Sequence, residues 1–164
     1  RAVFHRAEQV ADVGDADGGH PGSREHGPVI RRWTAPQEAV VRIRGRLQHD
    51  ADAGDGVLAY LISDRHGLLG QWSARNSNTP TRVDAVHMLP GDTLDFVVAC
   101  GADENSDSFT WAPKVEVSAG ADGVTARWDA RADFGGPTES LTPMDAWEQY
   151  AQVLLMTNEA AFVD

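Results

Sequence analysis

The chain has 164 residues and a net charge of −11, and its only lysine is Lys114. This length is typical of a single domain with a sizeable core, and the strong negative charge disfavours nucleic acid and anionic membranes as partners. With Cys100 as the only cysteine, the chain has no CxxCH motif for covalent haem and no CxxC motif for a zinc ribbon.

No apolar run is long enough to span a membrane. The start at Arg1 lacks a signal-peptide pattern, which indicates a mature or excised fragment. Along the chain, apolar residues alternate with polar ones between turn residues, as in β-strands. The predicted strands are Val3–Val10 at an edge, Val29–Thr34, Ala39–His49, Val57–Ser63, Leu68–Arg75, Thr81–Met88, Thr93–Cys100, Phe109–Val117 and Val124–Trp128.

Three of these strands have a distinctive pattern. In Thr93–Cys100 every second residue is apolar, which predicts one face in a core. In Ala39–His49 an apolar face alternates with three arginines, and Gly45 in the apolar face predicts a bulge. Val57–Ser63 is apolar on both faces, as in a central strand, and Asn76–Pro80 is predicted to be a turn.

The pattern changes near the C-terminus. Thr142-Pro143 fits a helix N-cap followed by proline, and apolar residues then recur every three or four positions. The sequence therefore predicts an all-β, antiparallel, jelly-roll-like sandwich over residues 1–134, a linker over 135–141 and an amphipathic helix over 142–164. This helix packs on the sandwich or on a partner domain.

Five phrases resemble the C-terminal region of large secreted planctomycete proteins that join a cytochrome-c-like haem domain to domains of unknown function. They are Ala16–Gly22, Ile30–Pro36, Gly91–Val98, Asn105–Pro113 and the tail Ala151–Glu159. The resemblance covers most of the chain from Asp15 onward. It implies a secreted or periplasmic protein with a β-rich segment like a carbohydrate-binding jelly roll, and it implies no catalytic residues. The family's tail ends in an aromatic pair, where this chain has Ala160-Ala161 before Phe162.

Tryptophans near loops are candidates for sugar binding, because the C–H face of a pyranose packs on an indole ring. Trp72 has polar neighbours that could bind sugar hydroxyls, and Trp33 lies beside two arginines. The candidate residues are Trp72, Gln71, Arg75, Asn76, Trp33 and Arg31. The alternative is that each tryptophan belongs to the core.

Asp103, Asn105 and Asp107 have the spacing of the first half of a calcium loop. An EF-hand is excluded, because Ser108 stands where that loop needs glycine and Lys114 stands where it needs glutamate. The remaining alternatives are a structural calcium ion shared with another loop and a turn rich in Asp and Asn.

The histidines are scattered without metal-binding spacing, and His20 and His49 are interpreted as solvated loop residues. No nucleophile elbow accompanies the Ser, His and Asp residues, so an enzyme is not predicted. The favoured function is a non-catalytic carbohydrate-binding module for a plant or algal polysaccharide. The alternative is a structural or docking module of a larger secreted redox protein, which binds other domains of that protein through Leu154, Leu155 and Phe162 of the apolar tail.

Overall fold

The computed structural model describes residues 4–6, 17–22, 27–119 and 123–134. This part of the chain forms eleven strands and one short helix. They are β1 Phe4–Arg6, β2 Gly18–Gly19, β3 Val29–Thr34, β4 Ala39–His49, β5 Val57–Ser63, β6 Gly67–Ala74, β7 Ser77–Met88, β8 Thr93–Cys100, β9 Phe109–Trp111, β10 Lys114–Ala119, β11 Gly123–Asp129 and α1 Ala130–Asp133. The predicted linker 135–141 and helix 142–164 lie outside the described residues.

The strands form two antiparallel sheets. The first has five strands in the order β1-β3-β8-β5-β6, and the second has the order β11-β10-β4-β9-β2 with β7 on the other side of β4. The predicted antiparallel β-sandwich is therefore confirmed. Within the described residues, no helix is long and apolar enough to cross a membrane.

Alternating burial along the strands places the core between the two sheets. In β8, Leu94, Phe96 and Val98 are buried, and the residues between them are half-buried. In β4 the predicted alternation is also observed, with Val41, Ile43 and Leu47 buried and the three arginines on the outer face. Each fully buried side chain of this kind contributes about 1.5–3 kcal/mol.

Two predicted boundaries are wrong, and proline explains both. Pro80 was predicted in a turn but lies within β7, opposite Arg46, where the missing N–H is tolerated because β7 is an edge strand. The predicted strand Phe109–Val117 is divided into β9 and β10 at Ala112-Pro113. Pro113 has no N–H for a continuous ladder.

Gly45 does not mark the predicted bulge. The irregularity lies opposite Arg42 instead, in β7, where Ala85 has a φ of 58°. A Cβ atom on Gly45 would lie 2.8 Å from Thr81 Oγ1 and 3.0 Å from Trp111 Nε1. Glycine is needed there because the indole of Trp111 packs closely against β4.

Trp111 joins the two sheets from the centre of the core. It is fully buried, and its ring meets Phe96 of the opposite sheet edge to face at 5.5 Å between centroids. Its indole Nε1 donates to Thr81 Oγ1 at 3.0 Å, and its main-chain carbonyl accepts from the buried guanidinium of Arg31. These contacts fix the distance between the sheets.

At the opposite end of the sandwich from the 101–108 loop, Asp92 closes the turn before β8. Its carboxylate accepts from Arg65 Nε at 2.5 Å, Arg65 Nη2 at 2.9 Å and the main-chain N–H of Leu89 at 2.8 Å. The Arg65 guanidinium and, next, the Leu89 N–H lower the pKa of Asp92 to about 2. The ionised form is therefore favoured in the folded state.

We expect Asp92→Asn to lower the melting temperature near neutral pH. Because the folded pKa is depressed below the unfolded value of about 3.9, this stabilisation is present above about pH 4 and is lost as the pH falls toward about 2. Thermal melts between about pH 6 and about pH 2 should show the two proteins converging. A gap that stays constant over this range would contradict the account, and Asp52→Asn, an exposed loop position, is the control.

Candidate functional site

One end of the sandwich carries three connecting segments, 50–56, 75–76 and 101–108. Segments 50–56 and 101–108 touch each other directly. Gly54 has a φ of +77°, and a Cβ atom on it would lie 2.0 Å from the carbonyl oxygen of Asn105. Asp55 also accepts a hydrogen bond from the main-chain N–H of Ala102. We call this end the loop end.

A buried His–Asp pair lies beneath the loop end. His49 and Asp107 both have 0% exposure, with 3.8 Å between His49 Nε2 and Asp107 Oδ1. The main-chain N–H of Asn76 donates to His49 Nδ1 at 3.3 Å, so a neutral His49 carries its proton on Nε2, facing Asp107. The interpretation of His49 as a solvated loop residue is wrong. Alternation along β4 already places it on the apolar face.

Neither carboxylate oxygen of Asp107 has a hydrogen-bond partner within the described part of the chain. Burial and then the neighbouring charge of Asp55 raise the pKa of Asp107, against a smaller opposite effect of His49. A buried carboxylate without hydrogen bonds is costly, because the protein does not replace the water that it loses.

The three residues of the predicted calcium loop differ in their exposure to solvent. Asp103 and Asn105 are exposed, and Asp103 Oδ1 accepts from the main-chain N–H of Asn105 at 2.8 Å, as in an Asx turn. Asp107 is buried. No group of three His, Cys, Asp or Glu side chains is arranged for a metal ion in the described ranges. Calcium also takes main-chain and water oxygens, so the ion stays a prediction.

Trp33 and Arg31 do not fit the predicted role as sugar contacts. Both are only 1% exposed, because alternation along β3 turns them toward the core. The ring of Trp33 packs against that of Trp128 at 5.3 Å, and Arg31 donates to Trp111. The core interpretation of Trp33 is therefore the one that the structure supports.

The other four predicted residues are spread over different surfaces. Trp72 is half-buried and faces inward, where its ring covers Gly70 and meets Trp111 at 6.0 Å. Gln71 is exposed on the outer face of the same strand. Asn76 supports His49 from its main chain. Arg75 lines a cavity of about 370 Å³ at the loop end, together with Asp55, Leu58 and Ser73.

A second hollow lies on the outer face of the six-stranded sheet. There β9 pairs with β4 at Leu47 and Gln48, and β10 pairs with β4 from Val41 to Arg44. Pro113 divides the two strands, so the ladder is interrupted beside Arg46. The helix α1 follows β11 at this break, where the main-chain N–H of Ala130 donates to the Pro113 carbonyl at 3.0 Å.

Two adjoining cavities, of about 270 Å³ and 350 Å³, occupy this surface. They share Gln48 and Thr110, which are direct cross-strand neighbours. We call the two cavities together the outer groove. Its polar lining comprises Arg46, Lys114, Asp129 and Arg131 in the smaller cavity, Asp50, Ser106 and Ser108 in the larger one, and the two shared residues.

Hydrogen bonds and ion pairs hold several of these side chains in place. Gln48 Nε2 donates to both carboxylate oxygens of Asp50, at 2.8 Å and 3.0 Å. Ser108 Oγ lies 3.2 Å from His20 Nδ1. This surface could not be predicted from the sequence, because its residues come from four strands, a helix and two connecting segments that span residues 46 to 131.

Comparisons with known proteins do not identify a family for this chain. No family model and no curated protein matches the chain. Among solved structures, the PA14 sugar-binding domain from an RTX adhesin is similar, with a TM-score of 0.40, 7% sequence identity, and coverage of 79% of this chain and 94% of that chain. A similarity of this degree does not extend to a site or a function.

We expect Asp107→Asn to raise the melting temperature at about pH 7 in EDTA, because it replaces a buried carboxylate that accepts no hydrogen bond by a neutral amide of the same shape. For a domain of this size, about 1 kcal/mol corresponds to about 2–4 °C. The control is Asp103→Asn, which keeps the oxygen of the Asx turn and should change stability by less than about 0.5 kcal/mol.

A lower melting temperature for Asp107→Asn would contradict this expectation. Calcium provides the second arm of the experiment. If the wild-type protein melts at a higher temperature with calcium than with EDTA, and Asp107→Asn does not, then the carboxylate binds the predicted ion, because a ligand of the native state raises its stability.

Proposed function

We propose that the protein is a non-catalytic carbohydrate-binding module that holds a polysaccharide in the outer groove. The observation that supports this best is the shared wall formed by Gln48 and Thr110. An amide and a hydroxyl project side by side between two cavities, and each can both donate and accept hydrogen bonds. Sugar hydroxyls require such partners, and Ser106 and Ser108 extend the set.

The dimensions of the outer groove favour a chain of sugars over a single small ligand. Each cavity is near or below the lower end of the range of about 300–1,000 Å³ for small-ligand pockets. A polysaccharide that places neighbouring residues in the two cavities uses the hydrogen-bonding groups of both. The shared residues then lie at the linkage between the two sugars.

The lining contains no exposed tryptophan, and Phe109 is buried. Binding therefore depends on hydrogen bonds, whose net contribution is about 0.5–1.5 kcal/mol each. Four such bonds together contribute about 2–6 kcal/mol, so we expect an affinity in the millimolar range. The resemblance to exported planctomycete proteins makes soluble plant and algal polysaccharides the ligands to test first, and it favours a secreted or periplasmic location.

We expect at least one glycan among xylan, mannan, glucan, pectin and sulfated algal polysaccharides to retard the protein in affinity electrophoresis. The double variant Gln48→Ala, Thr110→Ala should lose most of this retardation, because both side chains lie at the outer face and form the shared wall. The matched control is Gln71→Ala, which removes an exposed amide from the outer face of the other sheet. Circular dichroism checks that each variant is folded.

The variant Arg75→Ala distinguishes binding in the outer groove from binding in the cavity that Arg75 lines at the loop end. Trp72→Ala is less informative, because Trp72 packs on Trp111 and its loss also disturbs the core. If Arg75→Ala abolishes retardation while the Gln48 and Thr110 variant binds normally, the glycan site lies at the 370 Å³ cavity and our placement is wrong. Retardation by none of the glycans would contradict carbohydrate binding itself.

The docking module is the second candidate, and one surface feature favours it. Ile62 and Leu68 are cross-strand neighbours in β5 and β6, and they are 37% and 59% exposed. Contiguous exposed apolar patches are a feature of interaction surfaces, and this pair would form part of one. The predicted contacts of the tail, at Leu154, Leu155 and Phe162, lie outside the described residues.

A further inference from the structure

The smaller cavity of the outer groove collects positive charge in a strongly negative protein. Arg46, Lys114 and Arg131 line it, and Asp129 is the one acidic residue in the same lining. The chain has a net charge of −11 and 14 basic residues, and its only lysine is at this cavity. The lining of this cavity thus contains more basic than acidic residues, although the chain as a whole is strongly negative.

Arg46 has a different environment from the other outward arginines of β4. Arg42 pairs with Glu116 at 2.8 Å, and Arg44 pairs with Asp84. Arg46 Nη1 instead donates to the neutral side-chain amide of Asn78, at 3.2 Å. Among the described contacts of these three arginines, Arg46 is thus the one whose charge is not balanced by a carboxylate.

The other two cations are fixed by ion pairs and still lie at the surface. Lys114 Nζ is 3.0 Å from Asp129 Oδ2, and Arg131 Nε is 2.6 Å from Asp17 Oδ1. Exposed ion pairs of this kind contribute only about 0–1 kcal/mol to stability, so another anion can readily replace the carboxylate. A guanidinium with free N–H groups binds a carboxylate or sulfate through two parallel hydrogen bonds.

We infer that the outer groove selects acidic polysaccharides, with the anionic group of one sugar bound between Arg46, Lys114 and Arg131. This inference rests on the proposed function and specifies its ligand. The neighbouring cavity contains Asp50, which repels a second anion and favours a neutral sugar residue there. The groove therefore prefers a chain in which the bound acidic residue is followed by a neutral one. The anionic group is a uronate carboxylate or a sulfate ester.

The test compares ligands that differ only in charge. Isothermal titration calorimetry with oligomers in which a uronate alternates with a neutral sugar, and with their methyl esters, measures the contribution of the carboxylates, and a galactan sulfated on alternate sugars forms a parallel arm with its desulfated form. We expect the acidic form to bind about tenfold more tightly than its neutral form, and the difference to decrease between about 20 mM and about 200 mM salt. The arm with the larger ratio identifies the anionic group.

Arg46→Gln should reduce the affinity for the acidic ligand about tenfold and leave the affinity for the neutral form nearly unchanged. Arg82→Gln is the matched control, since Arg82 is an exposed arginine of β7 paired with Asp84 outside the groove. Equal affinity for charged and neutral forms would overturn the inference, and so would an equal loss in the Arg46 and Arg82 variants. If neutral glycans still bind and this binding depends on Gln48, the proposed function stands and only the selectivity for acidic chains is overturned. Absence of all glycan binding would overturn both.

Discussion

The fully buried indole of Trp111 is the contact on which the geometry of the outer groove depends. Its ring packs against Phe96 across the core, its N–H binds Thr81, and its carbonyl accepts from Arg31. Because neighbouring side chains of a strand point to opposite faces, fixing Trp111 inward directs Thr110 outward. Thr110 is thereby held beside Gln48, and a core contact sets the position of a surface residue.

The interruption at Ala112-Pro113 supplies the space that this arrangement needs. A continuous strand would pair with β4 along its whole length and would fill the hollow beside Arg46. The break instead leaves room for Lys114 and Arg131 to approach from β10 and α1. Since surface ion pairs contribute little to stability, the charged pairs on this face are not what holds the sandwich together.

The sequence predicts the strands well where period-two patterns are uninterrupted. The bounds of β3, β4 and β5 agree with the prediction, because in each strand one face is buried in the core. The sequence did not reveal that Trp33 points into the core, because Arg31 lies on the same face of β3. Arg31 is buried there because it donates to a main-chain carbonyl of the other sheet, and this contact cannot be recognised from the sequence. The outer groove could not be predicted, because its residues are brought together by sheet pairing over long separations in sequence.

A backbone amide NMR titration with a retained glycan tests most directly whether sugars bind at the surface that Trp111 and Pro113 create. We expect the largest chemical-shift changes at Arg46, Gln48 and Thr110, with small changes on the outer face of the five-stranded sheet. Shifts centred on Gln71, Ser73 and Arg75, with Gln48 and Thr110 unaffected, would contradict this expectation.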